Sequence, residues 1–221
     1  MDYYPINLNV TGRPCLVVGG GGVGTRKVQG LLECGARITL VSPKATPVLA
    51  ELARSGEITW KCRPYCSTDM EGQFLVMGAT DDDVLNRQVH ADALDRKVLC
   101  NIADRPSLCQ FILPAVVRRG DLLISVSTSG QSPAMAKRLR RRLQVQFGDE
   151  YAAALALMGA VRSQLLAEEH APEAHKGIFE HLIDAGIVDL VRADRRDEIQ
   201  ALLLAVMTAD QAAAYSSPNC T

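Results

Sequence analysis

The chain has 221 residues, with 24 Lys and Arg against 25 Asp and Glu for a net charge of −1, and is 48% hydrophobic and 22% charged. At about 150 residues per domain that length holds one full domain and an appendage, and the composition excludes a disordered or collagen-like chain and a bulk basic nucleic-acid binder. Positive charge gathers early, since residues 1–150 hold 19 basic and 15 acidic side chains while 151–221 hold 5 and 10.

Pro14–Val18 is a short apolar run leading into GGGGVG, after which Val28, Leu31 and Leu32 recur at helical spacing. This predicts strand, glycine turn and helix. Arg37–Val41 predicts a second strand, closed by Ser42 and Pro43, and Thr46–Ser55 a helix. Further strands are expected at Glu57–Cys62, Gln73–Ala79 and Lys97–Ile102, with a helix over Val84–Leu94 between the last two. Strands alternating with helices predict an α/β fold with a Rossmann-like, doubly wound parallel sheet. The pattern then changes. Cys109–Leu113 and Asp121–Thr128 read as strands joined by a short turn near Arg118–Gly120, which suits an antiparallel pair. Ser132 and Pro133 start a helix on which Met135, Leu139 and Leu143 share a face. From Tyr151 onward the Ala- and Leu-rich chain predicts three or four helices with breaks near Pro172 and Gly186.

No stretch reaches the roughly 20 apolar residues that span a bilayer. Met1–Val10 carries Asp2, Asn7 and Asn9 where a signal peptide needs an apolar run. A cytoplasmic protein without a membrane partner is expected. The seven cysteines are an odd number, and runs such as CLVV and VLCNI suggest buried, reduced thiols. Cys62 and Cys66 have no second pair or nearby His, so no structural zinc is expected.

Gly19, Gly21 and Gly24 fit the G-x-G-x-x-G spacing, with Gly20, Gly22 and Val23 between them. The first glycine permits the tight turn, the second lets backbone approach a pyrophosphate, and the third lets the helix lie close to the sheet. The position between a strand and a helix N-terminus points to dinucleotide binding. The second strand ends in Ser42, Pro43 and Lys44, with no acid to grip the ribose hydroxyls. NAD and NADP therefore both stay open as cofactors. Asn101, Ala103 and Asp104 fall at the carboxyl end of the fifth strand, where such sheets bind ligands. Asp104 reads equally as a base and as a cap on the turn into Arg105 and Pro106.

The segments GGGGVGTRKV, ATDDDVLN, NIADRPSLCQFILPAVVRRGDLLISVST and SGQSPAMAKRLRRRL together resemble the precorrin-2 dehydrogenase module of siroheme synthases, over about residues 3–147. The resemblance implies NAD-dependent oxidation of precorrin-2 to sirohydrochlorin, with ferrous iron insertion to siroheme in some members. It implies one Asp serving both reactions, matched by Asp104. It places dinucleotide contacts on Gly19–Gly24, Ser42–Lys44, and Thr80 with Asp81. It also implies a homodimer in three parts: a dinucleotide-binding domain (1–113), a small α+β dimerisation region built from the FILP and SVST strands and the next helix (114–150), and a C-terminal helical domain (151–221). Ending at Thr221, the chain is expected to lack the methyltransferase domain fused to the module in some relatives.

Lys137, Arg138, Arg140, Arg141 and Arg142 form a dense basic run. With Arg105, Arg118 and Arg119 they are candidates for meeting the acetate and propionate arms of precorrin-2, a solvated helix face being the plain alternative. Aromatic residues make up 5% of the chain and none interleaves the run, which argues against nucleic acid. His170, His175 and His181 do not share a helix face. Asp81, Asp82 and Asp83 read as an acidic helix start rather than a metal loop. No metal site is expected, and iron insertion stays open. An NAD-sensing module, or a tetrapyrrole carrier without dehydrogenase activity, is the alternative function.

Overall fold

The computed structural model describes residues 3–167 and 176–206. The chain divides into two units, Met1–Leu113 and Pro114–Thr221.

In the first unit, strands β1 (Pro14–Gly20), β2 (Arg37–Ala45), β3 (Thr59–Lys61), β4 (Leu75–Gly78) and β5 (Leu99–Ile102) form one sheet in the order β3-β2-β1-β4-β5, every pair parallel. The connections carry helices α1 (Gly22–Leu32), α2 (Pro47–Arg54) and α3 (Asp83–Asp95). β1 is central, and Cys15–Val18 are all buried, as an apolar run covered on both faces should be. Its side chains alternate. Cys15 and Val17 join Val28, Leu31, Leu40 and Leu49 in one core, and Leu16 and Val18 join Val76, Val89, Ala93 and Ile102 in the other.

The elements predicted up to Ile102 are present with shifted ends. Thr46 caps α2 by accepting from the Leu49 N–H, and Asp82 caps α3 by accepting from Val84 and Leu85, the job expected of that acidic start. β2 runs four residues past its expected end. A register shift opposite Val18–Gly20 lets Ala45 pair with Gly20, and the Ser42 hydroxyl satisfies the Gly20 N–H, so Pro43 does not end the strand. The expected strand Cys109–Leu113 is absent. After β5 the chain makes a tight helical turn at Pro106–Leu108. Gln110 then covers the edge of β5, its amide N–H donating to the Cys100 carbonyl and its side-chain oxygen accepting from the Cys100 N–H, both at 2.9 Å. One residue, through its backbone and its side chain, thus replaces a ladder.

The second unit opens with the antiparallel pair β6 (Ala115–Arg119) and β7 (Leu122–Val126), so the first strand lies beyond FILP rather than on it. Gly120, at φ +53°, starts the two-residue turn. Helix α4 (Pro133–Gln146), capped by the Ser132 hydroxyl, packs on both strands. Helices α5 (Glu150–Ala167), α6 (Lys176–Asp184), α7 (Ile187–Arg192) and α8 (Arg196–Val206) follow. Val161, Leu165, Leu182 and Leu203 form their core. Gly186, in the left-handed conformation, separates α6 from α7 as expected. Pro172, His170, His175 and Cys220 lie outside the described residues.

The thiols differ from the expectation in part. Cys15 and Cys100 are buried, and burial pushes their pKa values up to about 11 and about 12, which keeps them unreactive. Cys62 and Cys66 are exposed. Among the described residues no three His, Cys, Asp or Glu side chains converge as a metal site, and no helix is long and apolar enough to cross a membrane.

Candidate functional site

In the strand order 3-2-1-4-5 the connections run outward in opposite directions from β1 and β4, and ligands bind the crevice at the carboxyl ends of those strands. A cleft of about 700 Å³ opens there, within the size range of small-ligand sites. Gly19–Val23 form one wall, Ser42 and Lys44–Thr46 a second, Thr80, Asp81 and Asn86 a third, and Ala103–Arg105 the far end.

The three glycines of the spacing have three separate jobs. Gly19 adopts φ +112°, a turn closed to most L side chains. A Cβ on Gly24 would stand 2.0 Å from the Gly19 carbonyl oxygen, so only glycine lets α1 sit this close to the strand. A Cβ on Gly21 or Gly22 would meet nothing within 4 Å, because both border the open cleft. Gly21 caps α1 without a side-chain hydrogen bond, leaving first-turn N–H groups for an anion. These residues fit the pyrophosphate of a dinucleotide. Asn86 also lines the cleft, its side-chain oxygen buried without a partner among the described residues.

Not every expected contact faces the cleft. Gly24 and Pro43 are not among its lining residues; Gly24 is buried behind the turn. Ser42 borders it, but its hydroxyl accepts from the Gly20 N–H at 3.0 Å and donates to the Lys44 carbonyl at 2.7 Å, bracing the loop. Thr80 accepts from the Asp82 N–H, and its carbonyl is held by Asn86. Thr46 and Asn86 were missed in the sequence: neither lies in the glycine motif, and only the fold brings them to the same cleft.

Asp104 lies exposed at the end of the cleft in the left-handed region, φ +57°. Among the described residues no group donates a hydrogen bond to its carboxylate, the Arg105 guanidinium reaching its main-chain carbonyl instead. The turn that Asp104 would hold on the capping reading is held by the Cys109 thiol, whose single S–H is shared between the Ile102 and Arg105 carbonyls at 3.1 and 3.2 Å. Arg105 borders the cleft while its Nε donates to Asp83 at 2.7 Å, and that hydrogen bond holds the Asp83 carboxyl below its usual range.

The remaining basic candidates belong to the second unit. Arg118 is exposed on β6. Arg119 donates to the Arg118 and Gln144 carbonyls and lies 3.2 Å from Asp149, tying β6 to the end of α4. Lys137, Arg138, Arg141 and Arg142 line one hollow on α4 with Ala134 and Val145, at the i, i+3, i+4 spacing of one helix face. Arg140 is not in this group and donates to Gln144. Met135 and Leu139, which share a face of α4 with Leu143, are exposed, as are Val116 and Leu123.

Residues 6–115 match an NAD(P)-binding family, and residues 119–146 match the central region of sirohaem biosynthesis proteins. Siroheme synthase of Methylococcus capsulatus is 34% identical over 218 residues, covering 99% of this chain and 46% of that protein. Siroheme synthase of Nitrosococcus oceani is 36% identical over 207 residues, 94% of this chain and 44% of its own. The chain thus spans about half the length of the curated relatives it matches. A solved structure of SirC, precorrin-2 dehydrogenase, superposes with a TM-score of 0.76 at 26% identity, covering 92% of this chain and 98% of that one.

Proposed function

Given that the chain belongs to the family of siroheme synthase N-terminal modules, we propose that it is an NAD-dependent dehydrogenase that oxidises precorrin-2 to sirohydrochlorin. The observation that carries this reading is one cleft lined both by a helix N-terminus without a side-chain cap and by the carboxylate-bearing Asp104.

The N–H groups of Gly22 and Val23 would hold the pyrophosphate of the dinucleotide, with Thr80, Asp81 and Lys44, which line the same cleft, as the residues available to its ribose end. NAD is the cofactor of this reading, and the lack of an acid beside Lys44 leaves NADP as its competitor. When bound, the nicotinamide supplies the hydride acceptor. Asp104 takes the proton that leaves as ring conjugation extends. In the second unit the cationic face of α4 and Arg118, and in the first unit Arg105, each carry positive charge suited to carboxylate arms of the substrate. The exposed Val116 and Leu123 on the β6–β7 pair and Met135 and Leu139 on α4 are apolar side chains left uncovered, which supports a homodimer. Six free cysteines among the described residues suit the reducing cytoplasm.

The test is anaerobic incubation of the protein with precorrin-2 and NAD, followed by NADH absorbance and the sirohydrochlorin spectrum, with NADP in parallel. NADH and sirohydrochlorin formed in equal amounts support the dehydrogenase. Tetrapyrrole or NAD binding without turnover would assign the chain to the carriers or sensors. Ferrous iron added to the product tests it as a second substrate.

A further inference from the structure

We propose that Lys27 is a positioning residue that holds the strand end carrying Asp104 in fixed relation to the helix carrying the dinucleotide cradle. The inference rests on the reading of the cleft given above. Lys27 lies on α1, five residues after Gly22 opens that helix. Its side chain is half-buried, and its ammonium donates to the Asn101 side-chain oxygen at 3.4 Å. Asn101 is itself buried, and its amide donates to the Phe111 carbonyl at 2.9 Å and to the Cys109 sulfur at 3.5 Å. Cys109 closes the loop by accepting from the Ile102 N–H at 3.3 Å and donating to the Ile102 and Arg105 carbonyls. Lys27, Asn101 and Cys109 therefore form one clasp around residues 101–111, and Asp104 sits inside it with a left-handed backbone.

Half-burying an ammonium is costly unless something nearby offsets it. An apolar side chain would fill the same space at no such cost, so the ammonium must be compensated by what it holds. Burial pushes the Lys27 pKa down; the Cys109 thiol and the Asp104 carboxylate oppose that shift, and Arg26 on the same helix adds to it, the balance lying below the ordinary lysine value. Asp104 and Cys109 are thus the acidic groups whose charge bears on Lys27, whose direct contact is with Asn101. One helix then carries the cofactor at its N-terminus and, a turn and a half further on, the anchor of the proton-accepting carboxylate.

The test has two readouts. In the free protein, the Lys27 side-chain amine is titrated by NMR in the parent and in Asp104→Asn. Loss of the carboxylate should shift the amine to a lower titration point; an unmoved titration would overturn the proposal. In the turnover assay, Lys27→Met should lower kcat at least tenfold while NADH affinity stays within twofold, and Lys27→Arg should recover most of the loss. A Lys27→Met variant that keeps its kcat and loses only melting temperature would make Lys27 merely structural and sink the idea. If the parent protein fails to oxidise precorrin-2, the functional reading falls, while the NMR titration still decides the Lys27–Asp104 relation.

Discussion

Gly24 lies so close beneath Gly19 that a Cβ on the former would stand 2.0 Å from the carbonyl oxygen of the latter. The obstacle is backbone in the tightest part of the β1–α1 turn and cannot rotate away. Gly24→Ala should therefore destabilise the first unit by about 3 kcal/mol or more, at the upper end of overpacking costs, which lowers Tm by more than about 10 °C. Gly21→Asp, facing open space, should keep Tm and weaken NADH binding by more than tenfold, or about 1.4 kcal/mol. Thermal melts and NADH titrations on both variants check the pair, and equal effects on Tm would refute the division of labour.

Asp104 separates a chemical role from a structural one unusually cleanly, because its carboxylate caps nothing. Asn also tolerates the left-handed backbone, so Asp104→Asn should fold with a Tm close to the parent's. Turnover of precorrin-2 should fall about 100-fold, the usual scale for loss of a general base. A large fall in Tm with turnover intact would return Asp104 to the role of turn residue.

The face of α4 that carries Lys137, Arg138, Arg141 and Arg142 excludes Arg140. Replacing Lys137, Arg141 and Arg142 together by Gln should raise KM for the polycarboxylate substrate and flatten its dependence on ionic strength. Arg140→Gln should change neither. Steady-state kinetics over a salt series distinguish these, and equal effects of the two variants would reduce the basic run to a solvated face.

Asp69 is buried in the helical turn Ser67–Met70 that follows β3, between Lys61 at 2.9 Å and Arg63 at 2.6 Å. Burial pushes its carboxyl up, but hydrogen bonds from Arg63, Lys61 and the Cys66 N–H and thiol outweigh this and hold it well below the usual carboxylate range. A pKa depressed by folding contributes stability above the unfolded value of about 3.9, and that contribution is lost as pH falls through the folded value. Asp69→Asn should cost about 2 kcal/mol at pH 7, less than for a fully buried pair because Lys61 and Arg63 still reach water. Urea unfolding at pH 7, 4 and 3 should show parent and variant converging only below about pH 4. A constant gap across that range would show that Asp69 acts by shape alone.

The first unit was legible in the sequence because its signals are local. A parallel strand buried on both faces reads as an apolar run, CLVV, and each glycine of the turn answers a steric demand set within a few residues. Asp82 capping α3 and Ser132 capping α4 follow from the same short-range rules. The failures came where a side chain from elsewhere replaced a local partner. Ser42 carries β2 past Pro43 because the Gly20 N–H needs an acceptor across the sheet, and Gln110 covers the β5 edge in place of the strand expected at Cys109–Leu113. The clasp of Lys27, Asn101 and Cys109 joins residues up to 82 positions apart along the chain. No periodicity encodes such a contact, since the burial that makes a lysine and an amide seek each other exists only once α1 has docked against the sheet.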